Sequence, residues 1–179
     1  MSAPQHPARL SEASLRRIEE LKKRYPHPQS VVLEALWMWQ GEHGWISEEG
    51  MRYIAGILEI PENHVYGVVS FYTMFNRKPV GRHKIEVCTN VSCMLRNSER
   101  ILRHIEERLQ IKVGETTPDQ RFTLVELECL GACGTAPVAL VNDVLHENLT
   151  PEKMDEVLAK LPDDSAHYTD PTVDWDEGH

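Results

Sequence analysis

Four cysteines constrain this chain more than any other feature. They are Cys88, Cys93, Cys129 and Cys133, and they fall into two local pairs, C-x4-C and C-x3-C. What such pairs mean depends on the compartment. The first thirty residues lack the apolar stretch of a secretory signal, and Glu12, Glu19 and Glu20 interrupt any Arg-rich targeting pattern. No apolar run is long enough to span a bilayer. These features point to the cytoplasm, where thiols stay reduced and paired cysteines signal metal or redox chemistry. A net charge of −9 argues against nucleic acid or an anionic membrane surface as the main partner, so neither nucleic-acid binding nor direct membrane insertion is expected.

The chain has 179 residues, and its pattern changes part-way along. Ser11 is placed to cap a helix running to about Arg24, with Leu15, Ile18 and Leu21 on one face. Tyr25-Pro26-His27-Pro28 stops it. Ser30 precedes a second helix, Val31 to Gln40, with Val32, Leu36 and Trp39 on one stripe and Gly41 and Gly44 at its end. Ser47 caps a third, carrying Met51, Ile54, Ala55 and Leu58, and Ile46 with Met51 is spaced as a hydrophobic staple. Pro61 opens a fourth. Residues 1–80 therefore read as a helical bundle. Trp37, Trp39 and Trp45 are expected to fill its core or to face a partner.

Beyond the basic, turn-rich stretch NRKPVGRH the period becomes that of strands. Lys84–Val87 alternates, Cys93–Gln110 reads as one long helix with Leu95, Leu102, Ile105 and Leu109 inward, and Phe122–Leu127 alternates again. Pro137–Val141 and Val144–His146 follow as short strands about an Asn142-Asp143 turn. Thr150 caps a last helix with Pro151 at its first position. The order β-α-β-β-β-α is that of a thioredoxin-like α/β domain over residues 81–162, with a parallel first pair and a tight antiparallel hairpin. Residues 163–179 form an acidic tail with six acids and no Lys or Arg. The tail reads as a solvated end, or, because of Trp175, as an arm that docks on a partner.

In this reading Cys88 ends the first strand and Cys93 opens the long helix. Cys129 ends the second strand, and Cys133 lies in the loop before Pro137. Parallel neighbours put these ends on one edge of the sheet, where α/β folds place ligands. A binuclear iron–sulfur cluster takes one cysteine pair per iron. It is anionic, and it gains a further negative charge on reduction. A helix amino end beside Cys93, and small residues around Cys129 and Cys133, suit an anion. Structural zinc usually prefers shorter spacing, and a catalytic dithiol wants C-x-x-C. Spacing alone leaves cluster, zinc, and disulfide or free thiols open. The scattered histidines offer no ligand pair, and no G-x-G-x-x-G or P-loop is present.

The segments FYTMFNRKPVGRHKIEVCTNVSCMLRNSE and GETTPDQRFTLVELECLGACGTAPVALVND resemble the small thioredoxin-like [2Fe-2S] subunits of respiratory complex I, the NADH:quinone oxidoreductase of bacteria and mitochondria. The resemblance covers roughly Pro28 to Leu161 and leaves out the acidic tail. It implies that Cys88, Cys93, Cys129 and Cys133 hold one [2Fe-2S] cluster in a thioredoxin-like fold behind a helical region. It also implies partners: a subunit that binds FMN and NADH, and further iron–sulfur subunits. It places the chain at the periphery of the inner membrane as part of a complex. The same domain occurs in NAD-linked hydrogenases and formate dehydrogenases. Thioredoxin-like folds often carry a cis proline facing the redox site, and Pro137 stands there, although most X-Pro bonds are trans.

Overall fold

The structure, a computed structural model, describes residues 9–142 and 144–162. The acidic tail with Trp175, and Asp143 of the expected turn, lie outside the described residues. Among the described residues the chain divides into two compact units, one ending at Pro79 and the other beginning at Val80.

The first unit is helical. Helix α1 (Glu12–Arg24) is capped by the Ser11 hydroxyl, which accepts from the Ser14 N–H, and buries Ile18 and Leu21. A 3-10 turn over Pro28–Val31 absorbs Ser30, so no side chain caps helix α2 (Val32–His43). Helix α2 runs through Gly41 and ends at Gly44, whose φ of 79° is open to glycine at little cost. Helix α3 (Glu48–Leu58) starts from Ser47, whose hydroxyl accepts from the Gly50 N–H. The staple residues Ile46 and Met51 share one buried cluster. Pro61 is the N-cap of α4 (Glu62–Phe71) rather than its first residue. Trp39 is fully buried, so it offers nothing to a partner, while Trp37 and Trp45 are half-buried.

The second unit is a four-stranded sheet in the order β2-β1-β3-β4. Strand β1 (His83–Cys88) pairs in parallel with β2 (Phe122–Leu127), His83 against Phe122 through Cys88 against Leu127. Strands β3 (Ala139–Val141) and β4 (Val144–His146) form the antiparallel hairpin, and β3 pairs antiparallel with β1. Strand β3 is shorter than the expected Pro137–Val141, because proline has no N–H for a ladder. The Ala136–Pro137 peptide is cis.

The expected long helix is two helices. Helix α5 (Val91–Leu95) and helix α6 (Ser98–Leu109) are separated at Arg96–Asn97, where Asn97 takes φ 66°. Asparagine enters this left-handed region more readily than other side-chained residues. Cys93 therefore sits third in a short helix of its own. Leu95 points out and is 74% exposed, rather than lying inward. Helices α6 and α7 (Pro151–Lys160) bury Ile101, Ile105, Met154 and Leu158 with Ile85, Val87 and Leu124 of the sheet.

Candidate metal centre

All four cysteines are free thiols, and they differ in setting. Cys88 is the last residue of β1, a strand buried along its whole length, and is 2% exposed. Cys93 is equally buried. Helix α5, which carries it, is started by Asn90, whose side-chain oxygen accepts from the Val91 N–H at 2.8 Å. Cys129 and Cys133 are exposed. Cys129 lies two residues past the end of β2 rather than ending it, and Cys133 opens a 3-10 turn, Cys133–Thr135.

Hydrogen bonds shape these turns. The Gly131 N–H donates to Cys129 Sγ at 3.4 Å, and Gly131 has φ 73°, a conformation that glycine takes at little cost. The Cys88 thiol donates to the Glu128 carbonyl at 3.8 Å. The backbone of Val138 serves both buried cysteines: its carbonyl accepts from the Cys88 N–H at 3.1 Å, and it also hydrogen-bonds Cys93. Burial pushes the Cys93 thiol pKa up. The Val138 hydrogen bond pulls it back, and the hydrogen bond and charge of Cys88 and the charge of Cys133 push it further up.

The structure thus brings Cys88 and Cys133 within electrostatic range of Cys93, while Cys129 sits beside the Gly131 amide. Among the described residues, no three His, Cys, Asp or Glu side chains are gathered as a metal site. What fits a sulfur-ligated iron group is the donor set. Four unpaired thiols stand at or beyond the carboxyl ends of neighbouring parallel strands: Cys88 ends β1, Cys93 lies on α5 after it, and Cys129 and Cys133 lie on the turn after β2. Sequence reasoning passed over Thr89. Its N–H and hydroxyl both bond the Leu127 carbonyl, at 3.0 and 3.4 Å, and so tie the first cysteine turn to the end of β2. Its position inside the C-x4-C pair was the available clue.

Residues 18–162 match the thioredoxin-like [2Fe-2S] ferredoxin family. The chain is 46% identical over 149 residues to an NADH-quinone oxidoreductase subunit of Rickettsia bellii (strain RML369-C), covering 82% of this chain and 89% of that protein. It is 45% identical over 141 residues to an NADH-quinone oxidoreductase subunit of Rhizobium meliloti (strain 1021), covering 79% and 84%. Among solved structures, an NAD+-reducing [NiFe]-hydrogenase aligns with a TM-score of 0.64 at 21% identity. That alignment covers 74% of this chain but only 23% of the hydrogenase chain, and it speaks to fold alone. Among the described residues no helix is long and apolar enough to cross a membrane.

Proposed function

The chain belongs to the thioredoxin-like [2Fe-2S] ferredoxin family, and from that premise we propose that it is the electron-transfer subunit of an NADH:quinone oxidoreductase. Cys88 and Cys93 would hold one iron of a [2Fe-2S] cluster, and Cys129 and Cys133 the other. Bound there, the cluster supplies reversible one-electron transfer. The chain's own part is to hold the sulfurs, keep water from the buried pair and present the exposed pair. Electrons enter from FMN, reduced by NADH on a partner subunit, and pass on within a complex that holds further iron–sulfur subunits at the periphery of the membrane.

The observation that carries this reading is the placement of both thiol pairs at the carboxyl ends of the parallel β1–β2 pair, inside the span matched by the family. The lack of a dinucleotide fingerprint or phosphate loop in the sequence supports the assignment of NADH and FMN to the partner. The family match favours iron and sulfide over a zinc-stabilised module. The relatives named as parts of NADH-quinone oxidoreductases favour a quinone-linked enzyme over an NAD-linked hydrogenase or formate dehydrogenase, since the hydrogenase likeness is one of fold. Contact surface for the partner is available beside Cys93, where Val91, Met94 and Leu95 are 57%, 55% and 74% exposed.

The test is iron and acid-labile sulfide analysis of anaerobically purified protein, with electron paramagnetic resonance after reduction. Equal iron and sulfide, lost when any of the four cysteines becomes serine, is the expected result. Stoichiometric zinc without sulfide would overturn the reading. So would NADH oxidation by the isolated, flavin-free chain.

A further inference from the structure

The turn that carries Cys129 and Cys133 is exposed, yet it is fastened at both ends by groups that are not thiols. At its start, Thr89 holds the Leu127 carbonyl. At its end stands Thr135, two residues after Cys133. The Thr135 N–H closes the turn onto the Ala132 carbonyl at 3.2 Å, and its own carbonyl accepts from the Asn148 N–H at 2.7 Å. The Thr135 hydroxyl donates to the Glu147 carboxylate. One residue pair further along, the Leu149 N–H donates to the Pro137 carbonyl at 3.0 Å. Glu147–Leu149 therefore runs as a strap beside Thr135–Pro137. The strap leads directly into Thr150, the cap of α7, and α7 is anchored by the fully buried Met154.

We propose that Glu147 is a positioning residue for the cluster: through Thr135 its carboxylate fixes the Cys133 end of the exposed turn. It also sets one negative charge on the group that holds this end. The inference rests on the assignment of Cys129 and Cys133 as ligands. A hydrogen bond to a charged acceptor is stronger than a neutral one. A fixed anion opposes the extra negative charge of the reduced cluster. The geometry and the charge are thus separable contributions of one side chain.

The test compares four holoproteins: wild type, Glu147→Ala, Glu147→Gln and Thr135→Val. Two quantities are read, cluster half-life in air from visible absorbance and midpoint potential from a titration followed by electron paramagnetic resonance. Glu147→Ala and Thr135→Val should lose the cluster roughly three- to tenfold faster, the range for one ordinary hydrogen bond, since solvent at this exposed site weakens the charge-assisted one. Glu147→Gln keeps an acceptor oxygen but not the charge, so it should lose the cluster clearly more slowly than Glu147→Ala while its potential moves upward. Apoprotein melting temperatures should stay unchanged, since Glu147 is exposed. A Glu147→Ala protein with wild-type half-life and potential would overturn the proposal. Equal losses of half-life in Glu147→Ala and Glu147→Gln would do the same. A wild-type protein without iron and sulfide would instead bring down the proposed function, and this inference with it.

Discussion

Replacing Gly50 by alanine sets two known effects against each other, and the structure decides between them. Gly50 is the third residue of α3, and its N–H donates to the Ser47 hydroxyl at 3.0 Å. By helix propensity alone, alanine is better than glycine by about 0.8–1 kcal/mol. A Cβ on Gly50, however, would lie 2.4 Å from Cε2, 2.6 Å from Nε1 and 2.7 Å from Cζ2 of Trp39. That indole has little room to move. It is fully buried, meets His43 edge-on with centroids 4.3 Å apart, and has Tyr53 at 5.5 Å. Overpacking of this kind costs about 1–3 kcal/mol, and a rigid aromatic neighbour puts this site at or above the upper end. The net expectation is a loss of about 2 kcal/mol or more, or on the order of 10 °C in melting temperature for a unit of this size. Gly56 is the internal control. It lies in the same helix, is exposed, and its added Cβ would meet nothing within 4 Å. Gly56→Ala should therefore stabilise by about 0.5–1 kcal/mol. Trp39→Phe offers a second check, because Trp39 Nε1 is buried with no hydrogen-bond partner among the described residues. Combined with Gly50→Ala it should recover about 1 kcal/mol or more of the sum of the single losses. The assay is urea and thermal unfolding of the full chain followed by far-ultraviolet circular dichroism. Gly50→Ala and Gly56→Ala shifting the midpoint in the same direction would refute the packing argument.

Four further outcomes follow from the same contacts. Burial alone would raise the Glu42 pKa, but the Ser11 and Ser14 hydroxyls, the Ser11 N–H and the charge of His43 bring it below its ordinary 4.5. A depressed folded-state pKa gives stability that is present above the unfolded value and lost as pH falls through the folded one. Glu42→Gln should thus cost about 1 kcal/mol at neutral pH, after discounting for solvent, and nothing in strong acid; melts across the acid range check it. Gln40 is 1% exposed, donates to the Met74 carbonyl at 3.0 Å and accepts from the Asn76 N–H at 2.6 Å. Gln40→Leu orphans both groups and should cost about 2–4 kcal/mol in urea unfolding. On β1, Lys84 and Glu86 form an ion pair of 2.7 Å with side chains only 6% and 11% exposed. Lys84→Met alone should cost about 3–5 kcal/mol, whereas Lys84→Met with Glu86→Leu should recover most of it. Finally, chelation of iron should lower the melting temperature of the second unit, since ligand sets drawn from distant segments couple binding to folding; coincident calorimetric scans of holo and apo protein would contradict this.

The features legible in the sequence are those fixed by local chemistry. Ser11, Ser47 and Thr150 each cap the helix they precede, because a hydroxyl at that position answers an amide that the helix leaves unpaired. The alternation over Phe122–Leu127 and the short runs about Asn142 gave the strands. The break at Arg96–Asn97 escaped because Met94, Leu95, Leu102 and Ile105 keep a helical spacing straight through it, with neither glycine nor proline to mark a stop. Only the packing of the α6 face, with Ser98 buried at its start, reveals that the register is reset. Ser30 misled for a related reason. A capping residue is useful only if the chain enters extended, and Pro28 starts a 3-10 turn instead. Thr89, Thr135 and Glu147 escaped because their partners lie far along the chain or across a turn, which no spacing encodes.

The difference in exposure between the two cysteine pairs has the same origin. The pairs look equivalent as spacings, but the first begins inside the ladder and the second begins beyond it. Cys88 is the last rung of a strand flanked on both sides, so its sulfur inherits the burial of the sheet centre. Strand β2 is an edge strand and ends at Leu127, so Cys129 and Cys133 stand on a turn with no strand over them. With a cluster on these four cysteines, as proposed, the two settings would do different work. Burial at Cys88 and Cys93 excludes the water and oxidants that would strip a sulfur-ligated group. An exposed pair leaves a short route to a redox partner and lets solvent screen the charge that reduction adds. A cluster held wholly inside would be protected but remote, and one held wholly on turns would be accessible but labile. Placing one pair on the central strand and the other past an edge strand meets both demands, and it follows from the strand order β2-β1-β3-β4.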